Sequence, residues 1–118
     1  MTLRFSSLTV MLLLGAGCAS TAAPNEKAES SAAAVRAAEE VGATHSPTAA
    51  LHLQLAKEQF EHARRLPNPA DRDRANRLLM RAQVDAELAL ALARSEDEKA
   101  EAQGAIDQVT KLKKSPTP

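Results

Sequence analysis

The sequence predicts an all-α protein: an antiparallel helical hairpin or small three-helix bundle with a long C-terminal helix. Three observations carry this. Alanine dominates the 118 residues, with Leu, Glu, Arg and Gln behind it, which is the composition of long helices. β-Branched residues are sparse and no run alternates polar with apolar, so no strand is expected. Two proline breaks, Ser46-Pro47 and Asn68-Pro69, divide the remainder into segments of helical spacing.

The first element is read as a leader over residues 1–17. Arg4 gives a basic flank, Leu8 and Val10 to Leu14 give an apolar run too short to span a bilayer, and Gly15 to Gly17 are small. With Cys18 directly after, the segment resembles a bacterial lipoprotein signal. Ala16, Gly17 and Cys18 fit its cleavage box, while Gly15 stands where a leucine is usual. The resemblance implies that the Cys18 thiol receives a diacylglycerol and that its amine is acylated after cleavage, so that palmitate-type chains anchor the protein to a membrane. Each buried methylene contributes about 0.8 kcal/mol, so several chains hold far more firmly than one. Cys18 is the sole cysteine, and no disulfide framework competes for it. The other reading is an ordinary secretory peptide cleaved among Ala19 to Ala23. Ala19 is not the aspartate of an inner-membrane retention signal. By that resemblance the destination is the outer membrane, facing the periplasm. Residues 18–25 then form the acylated cysteine and a flexible tether.

Residues 26–113 are expected to form the helical domain. Asn25 can cap helix one, about 26–41, with Glu26 and Glu29 against its N-terminal dipole and Ala28, Ala32, Val35, Ala38 and Val41 at helical spacing. Gly42 to His45 break it. Ser46 and Pro47 cap and open helix two, about 47–66, which Pro67 stops. Asn68, Pro69 and Asp71 then open helix three, about 69–113, in a near capping box. So short a turn forces helices two and three antiparallel. Lys111, Lys113 and Lys114 suit a helix C-terminus, and residues 114–118 read as a loose tail.

Helix two offers Leu53, Ala56, Phe60 and Ala63 to the hairpin seam. Helix three offers Ala75, Leu79, Ala82, Ala86, Ala89 and Ala93 at the same spacing. An alanine seam lets the axes approach near the lower end of the usual range, about 8 Å. A second stripe on helix three, Val84, Leu88, Ala91, Ala102, Ile106 and Val109, lies on nearly the opposite face. Helix one could cover it, or it could dock another chain or a second copy. The end beyond Ser95 has no partner of equal length within the chain, and it either projects, frays near Gly104 or pairs elsewhere.

From Ser46 to Arg94 the chain resembles an alanine-rich helical-hairpin family of bacterial envelope proteins, the domain of unknown function 4398. The carrying residues are Leu53, Ala56, Ala63 and Arg64 in the first half. In the second they are Ala75, Leu78, Ala82, Asp85, Ala86, Leu88 and Ala89. Such domains commonly sit on outer-membrane lipoproteins, sometimes joined to a peptidoglycan-binding domain. No stretch of this sequence resembles that second domain, so wall binding is not carried over. The resemblance brings no catalytic residues.

Other chemistry is weakly signalled. Removing Arg4 leaves fourteen basic against fifteen acidic residues, a balance that argues against a nucleic-acid surface. Phe60 is the sole aromatic after the leader, too few for a base- or sugar-stacking platform. His52 and His62 are ten apart and Glu58 with His62 makes only two ligands, so no metal site or other cofactor is expected and His45, His52 and His62 read as solvated. Arg64, Arg65, Arg72, Arg74, Arg77 and Arg81 crowd the hairpin turn. They could face anions or phospholipid headgroups, or be paired locally by Glu61, Asp71, Asp73 and Asp85. No catalytic residues and no small-molecule substrate are assigned. The expectation is a non-enzymatic envelope lipoprotein, a periplasm-facing helical adaptor or spacer that binds a protein partner. The alternative is a structural lipoprotein that self-associates through the Val84 to Val109 stripe as a coiled coil.

Overall fold

A computed structural model describes residues 24–115, which are helical almost throughout. The order is α1 (Pro24–Glu40), a 3-10 turn (Ala43–His45), α2 (Pro47–Arg64), a second 3-10 turn (Pro69–Asp71) and α3 (Arg72–Lys114). Among the described residues the fold class is the expected one: all-α, three helices, the last much the longest. The leader, Cys18 and the tether as far as residue 23 lie outside the described residues.

Several boundaries differ from the sequence reading, each for a local reason. α1 begins at Pro24, because a proline needs no N–H partner in a first turn, so Asn25 sits inside the helix rather than capping it. It ends one residue early, at Glu40, where the Gly42 N–H turns back to the Glu39 carbonyl at 2.9 Å. Gly42 has φ 77°, and a Cβ there would stand 2.8 Å from His45 Nδ1, so the turn requires glycine. Pro47 opens α2 as expected, but Ser46 makes no side-chain cap. α2 stops at Arg64 rather than Leu66. Its last turn tightens, the Leu66 N–H donating to the Ala63 carbonyl at 3.2 Å before Pro67. Asn68 also caps through its backbone: its carbonyl accepts the Asp71 N–H at 2.9 Å, closing a 3-10 turn before regular helix starts at Arg72.

α3 is the spine. α2 runs antiparallel along it, and α1 runs parallel to it, so α1 and α2 each pack chiefly on α3 and less on each other. The core is alanine: Ala38, Ala43 and Ala49 with Ala56, Ala63, Ala82, Ala86, Ala89 and Ala93, joined by Leu53 and Leu79. Val35, Val41, Leu90 and Leu92 close over the part of it formed by Ala38, Ala43, Ala49, Leu53, Ala89 and Ala93. Small side chains on every face let three axes meet over one seam. Ser31 is the buried polar residue at the α1–α3 crossing. Its hydroxyl lies 2.7 Å from the carbonyls of both Lys27 and Leu79, so its burial costs little.

At 43 residues α3 is about 64 Å long, against about 27 Å for α2. Its last buried residue is Ala93, and residues 96–115 are all exposed. The helix is unbroken through Gly104, so the far end projects rather than frays.

Candidate functional site

The seam residues fall into two groups. Leu53, Ala56, Ala63, Leu79, Ala82, Ala86 and Ala89 are buried between helices. Phe60 and Ala75 are only half-buried. Phe60 faces a groove shared with Ala32, Val35 and Arg36 of α1, and the Arg64 guanidinium covers its ring at 5.9 Å. A large ring does not fit an alanine seam, and it slides to the α1–α2 edge where there is room.

The second stripe of α3 is open along its whole length. α1 does not cover it, because α1 docks on the opposite, alanine-lined side through Ser31 and Ala38. Val84 is 63% exposed, Leu88 41%, Ile106 58% and Val109 51%, with Ala91 and Ala102 exposed between them. Met80 and Leu112 extend the apolar line at either end. Half of this surface lies on the bundle and half on the projecting end. A shallow groove of about 410 Å³ between Met80, Arg81, Val84 and Asp85 marks its start. Isolated exposed apolar residues are ordinary, but a line of them on one helix face is a surface for contact.

Below that groove lies the arginine end of the hairpin. Arg74, Arg77 and Arg81 follow one face of α3, and with His62 of α2 and Leu78 they line a hollow of about 350 Å³. All six arginines from Arg64 to Arg81 are exposed. Local pairing, as expected from spacing, is realised once: among the described residues Arg64 alone of the six makes an ion pair, with Glu61 at 3.1 Å. Asp85 is turned the other way. Its carboxylate takes His52 Nδ1 at 3.1 Å and the Gln59 amide at 2.6 Å, both from α2. His52 is therefore half-buried and paired rather than solvated. His45 is exposed, and His62 is half-buried at the basic hollow.

Polar contacts also fasten α1. Lys57 of α2 pairs with Glu39, Ser30 donates to Gln83 at 3.1 Å, and Lys27 reaches the Met80 sulfur at 3.8 Å. The start of α1 is thereby fixed at the arginine end of the bundle. Local spacing signals neither the Ser31 contact nor the Asp85 clamp, since each joins residues far apart in the chain. Among the described residues no helix is long and apolar enough to cross a membrane, and no three His, Cys, Asp or Glu side chains come together as a metal site.

Residues 26–105, more than half of the chain, match the model of a family described as "Domain of unknown function (DUF4398)". The matched span takes in the bundle from the third residue of α1 onward and the first part of the projecting end. No curated protein and no solved structure matches the chain.

Proposed function

We propose that this chain, which belongs to the DUF4398 family, is a non-enzymatic cell-envelope lipoprotein that serves as a periplasm-facing helical adaptor or spacer. The observation that carries the reading is the form of α3. It projects well past its own bundle and holds an uncovered apolar stripe from Val84 to Val109 along one face. A helix kept solely for the stability of this fold has no use for either feature, since the core ends at Ala93. The leader and Cys18 supply the anchor in this reading, and the outer membrane is its site. The stripe receives a protein partner. No reaction, cofactor or nucleic acid enters it.

The anchor is tested by the intact mass of protein extracted from membranes, compared with Cys18→Ala. The expected mass is that of a chain beginning at Cys18 plus acyl chains, absent in the variant. A bare polypeptide cut near Ala23 would remove the anchor and with it the spacer.

A second reading keeps the anchor and makes the partner another copy of this chain. It is favoured by the return of the same three- and four-residue spacing on the same helix face at Ala102, Ile106 and Val109, after the polar interval of Ser95, Glu98 and Lys99, two short runs of the pattern of a coiled-coil face. Sedimentation over a range of concentrations separates the two. A mass that doubles with concentration and reverts in Leu88→Asp supports self-association; a strict monomer excludes it.

A further inference from the structure

We infer that the arginine end of the hairpin is a seat for the phosphate groups of an anionic phospholipid surface, and that it sets α3 pointing away from the membrane. The inference rests on the lipid anchor proposed above and says how the anchored bundle is oriented.

Three independent features converge at that end. The first is charge. Residues 62–81 hold six arginines against Asp71 and Asp73, while residues 82–110 hold seven acids against Arg94 and Lys99. The second is availability. Five of the six arginines are free of ion pairs among the described residues, and the acid closest in sequence to Arg81, Asp85, is committed to His52 and Gln59. Arg74, Arg77 and Arg81 open onto one hollow with His62, where guanidinium forks can each take two phosphate oxygens. The third is position. α1 starts at this end, fixed by the Lys27–Met80 and Ser31–Leu79 contacts, and Cys18 is six residues before Pro24. Six residues span at most about 20 Å, so acyl chains on Cys18 hold the arginines beside the headgroups.

The neighbouring α1 charges, Glu26 and Glu29 against Lys27, weaken the field on their own side. The seat is therefore the α2–α3 face rather than the whole end. An acidic middle on α3 is repelled by the same surface, which turns the projecting end outward. Attraction of this kind acts within a Debye length, about 8–10 Å at ordinary salt, so the tether is what makes the patch effective.

The core lies between Ser31 and Ala93, so a chain of residues 19–118 keeps all of it and lacks both the apolar leader and the anchor. Its partition is measured by sedimentation with vesicles of phosphatidylcholine alone and of phosphatidylcholine with phosphatidylglycerol. Binding is expected only to the anionic vesicles and is expected to fall as salt rises. Reversing Arg74, Arg77 and Arg81 to glutamate should cut the partition by about a hundredfold or more, since each basic residue near such a surface contributes roughly a factor of five. Reversing Lys111, Lys113 and Lys114 should leave it within about twofold, with circular dichroism confirming that both variants stay helical. Equal binding to neutral vesicles, or loss in the lysine variant instead, overturns the seat. Inorganic phosphate that displaces the chain better than chloride at equal ionic strength would make the hollow a free-phosphate site and also overturn it. An acylated protein that passes the mass test while failing here leaves the anchor standing and removes only the orientation.

Discussion

Asp85 is the residue on which α2 and α3 are registered. One carboxylate holds His52 and Gln59, which stand two turns apart on α2, so sliding the hairpin by a turn breaks both contacts. Hydrogen bonds to a charged group contribute about 1.5–3 kcal/mol when shielded, and this one is about a quarter exposed, so the lower part of that range applies. Asp85→Ala is expected to lower unfolding free energy by about 1–2 kcal/mol in denaturant melts, with the exposed Glu87→Ala within about 0.5 kcal/mol of wild type. If the two variants melted alike, Asp85 would not be a clamp. Sequence spacing points Asp85 at Arg81 instead, four positions before it, the spacing that pairs charges along one helix. Its real partners are 33 and 26 positions away. Ser31 is the same case: among alanines it reads as another small residue, and its bond to Leu79 spans 48 positions. Local spacing rules do not reach that far.

The helices themselves were legible, their ends less so. Prolines at 47, 67 and 69 and the glycine at 42 mark every break, yet every helix end except the start of α2 at Pro47 moves by one to three residues, and at the breaks 3-10 turns take up the slack. Both apolar faces of α3 also show in the spacing. What spacing does not say is which face α1 takes. The alanine face wins because small residues on α1, α2 and α3 can approach together, whereas Val84 and Leu88 would hold an α1 backbone off. From this follows the cost of size: Ala82 and Ala86 have no exposed surface, so Ala82→Leu or Ala86→Leu should overpack the seam and lose about 1–3 kcal/mol. A thermal melt reads it directly, and an unchanged midpoint would mean that the seam has slack. Gly104 gives the opposite sign. A Cβ there meets nothing within 4 Å, and alanine is favoured over glycine in a helix by about 0.5–1 kcal/mol. Gly104→Ala should slow amide hydrogen exchange around residues 100–108 while leaving the bundle's melting midpoint where it was.

For the whole molecule, folding and reach are carried by different lengths of one helix. Among the described residues every buried one lies at or before Ala93, so residues 101–115 give the bundle no apolar burial. A chain ending at Ala100 should therefore unfold at a free energy within about 0.5 kcal/mol of the full chain, the range of surface changes that touch nothing. The same truncation removes Ala102, Ile106 and Val109, half of the open stripe, and about 20 Å of helix. Under the proposed reading it should abolish partner binding or self-association with no loss of stability, and the two readouts must part company. A truncated chain that melted several degrees lower would show that the projecting end folds back on its own bundle, and the stripe would then be core rather than surface. A truncated chain that kept both stability and binding would confine the contact surface to Met80, Val84, Leu88 and Ala91. The projecting end would then be a spacer alone, with its apolar line unexplained.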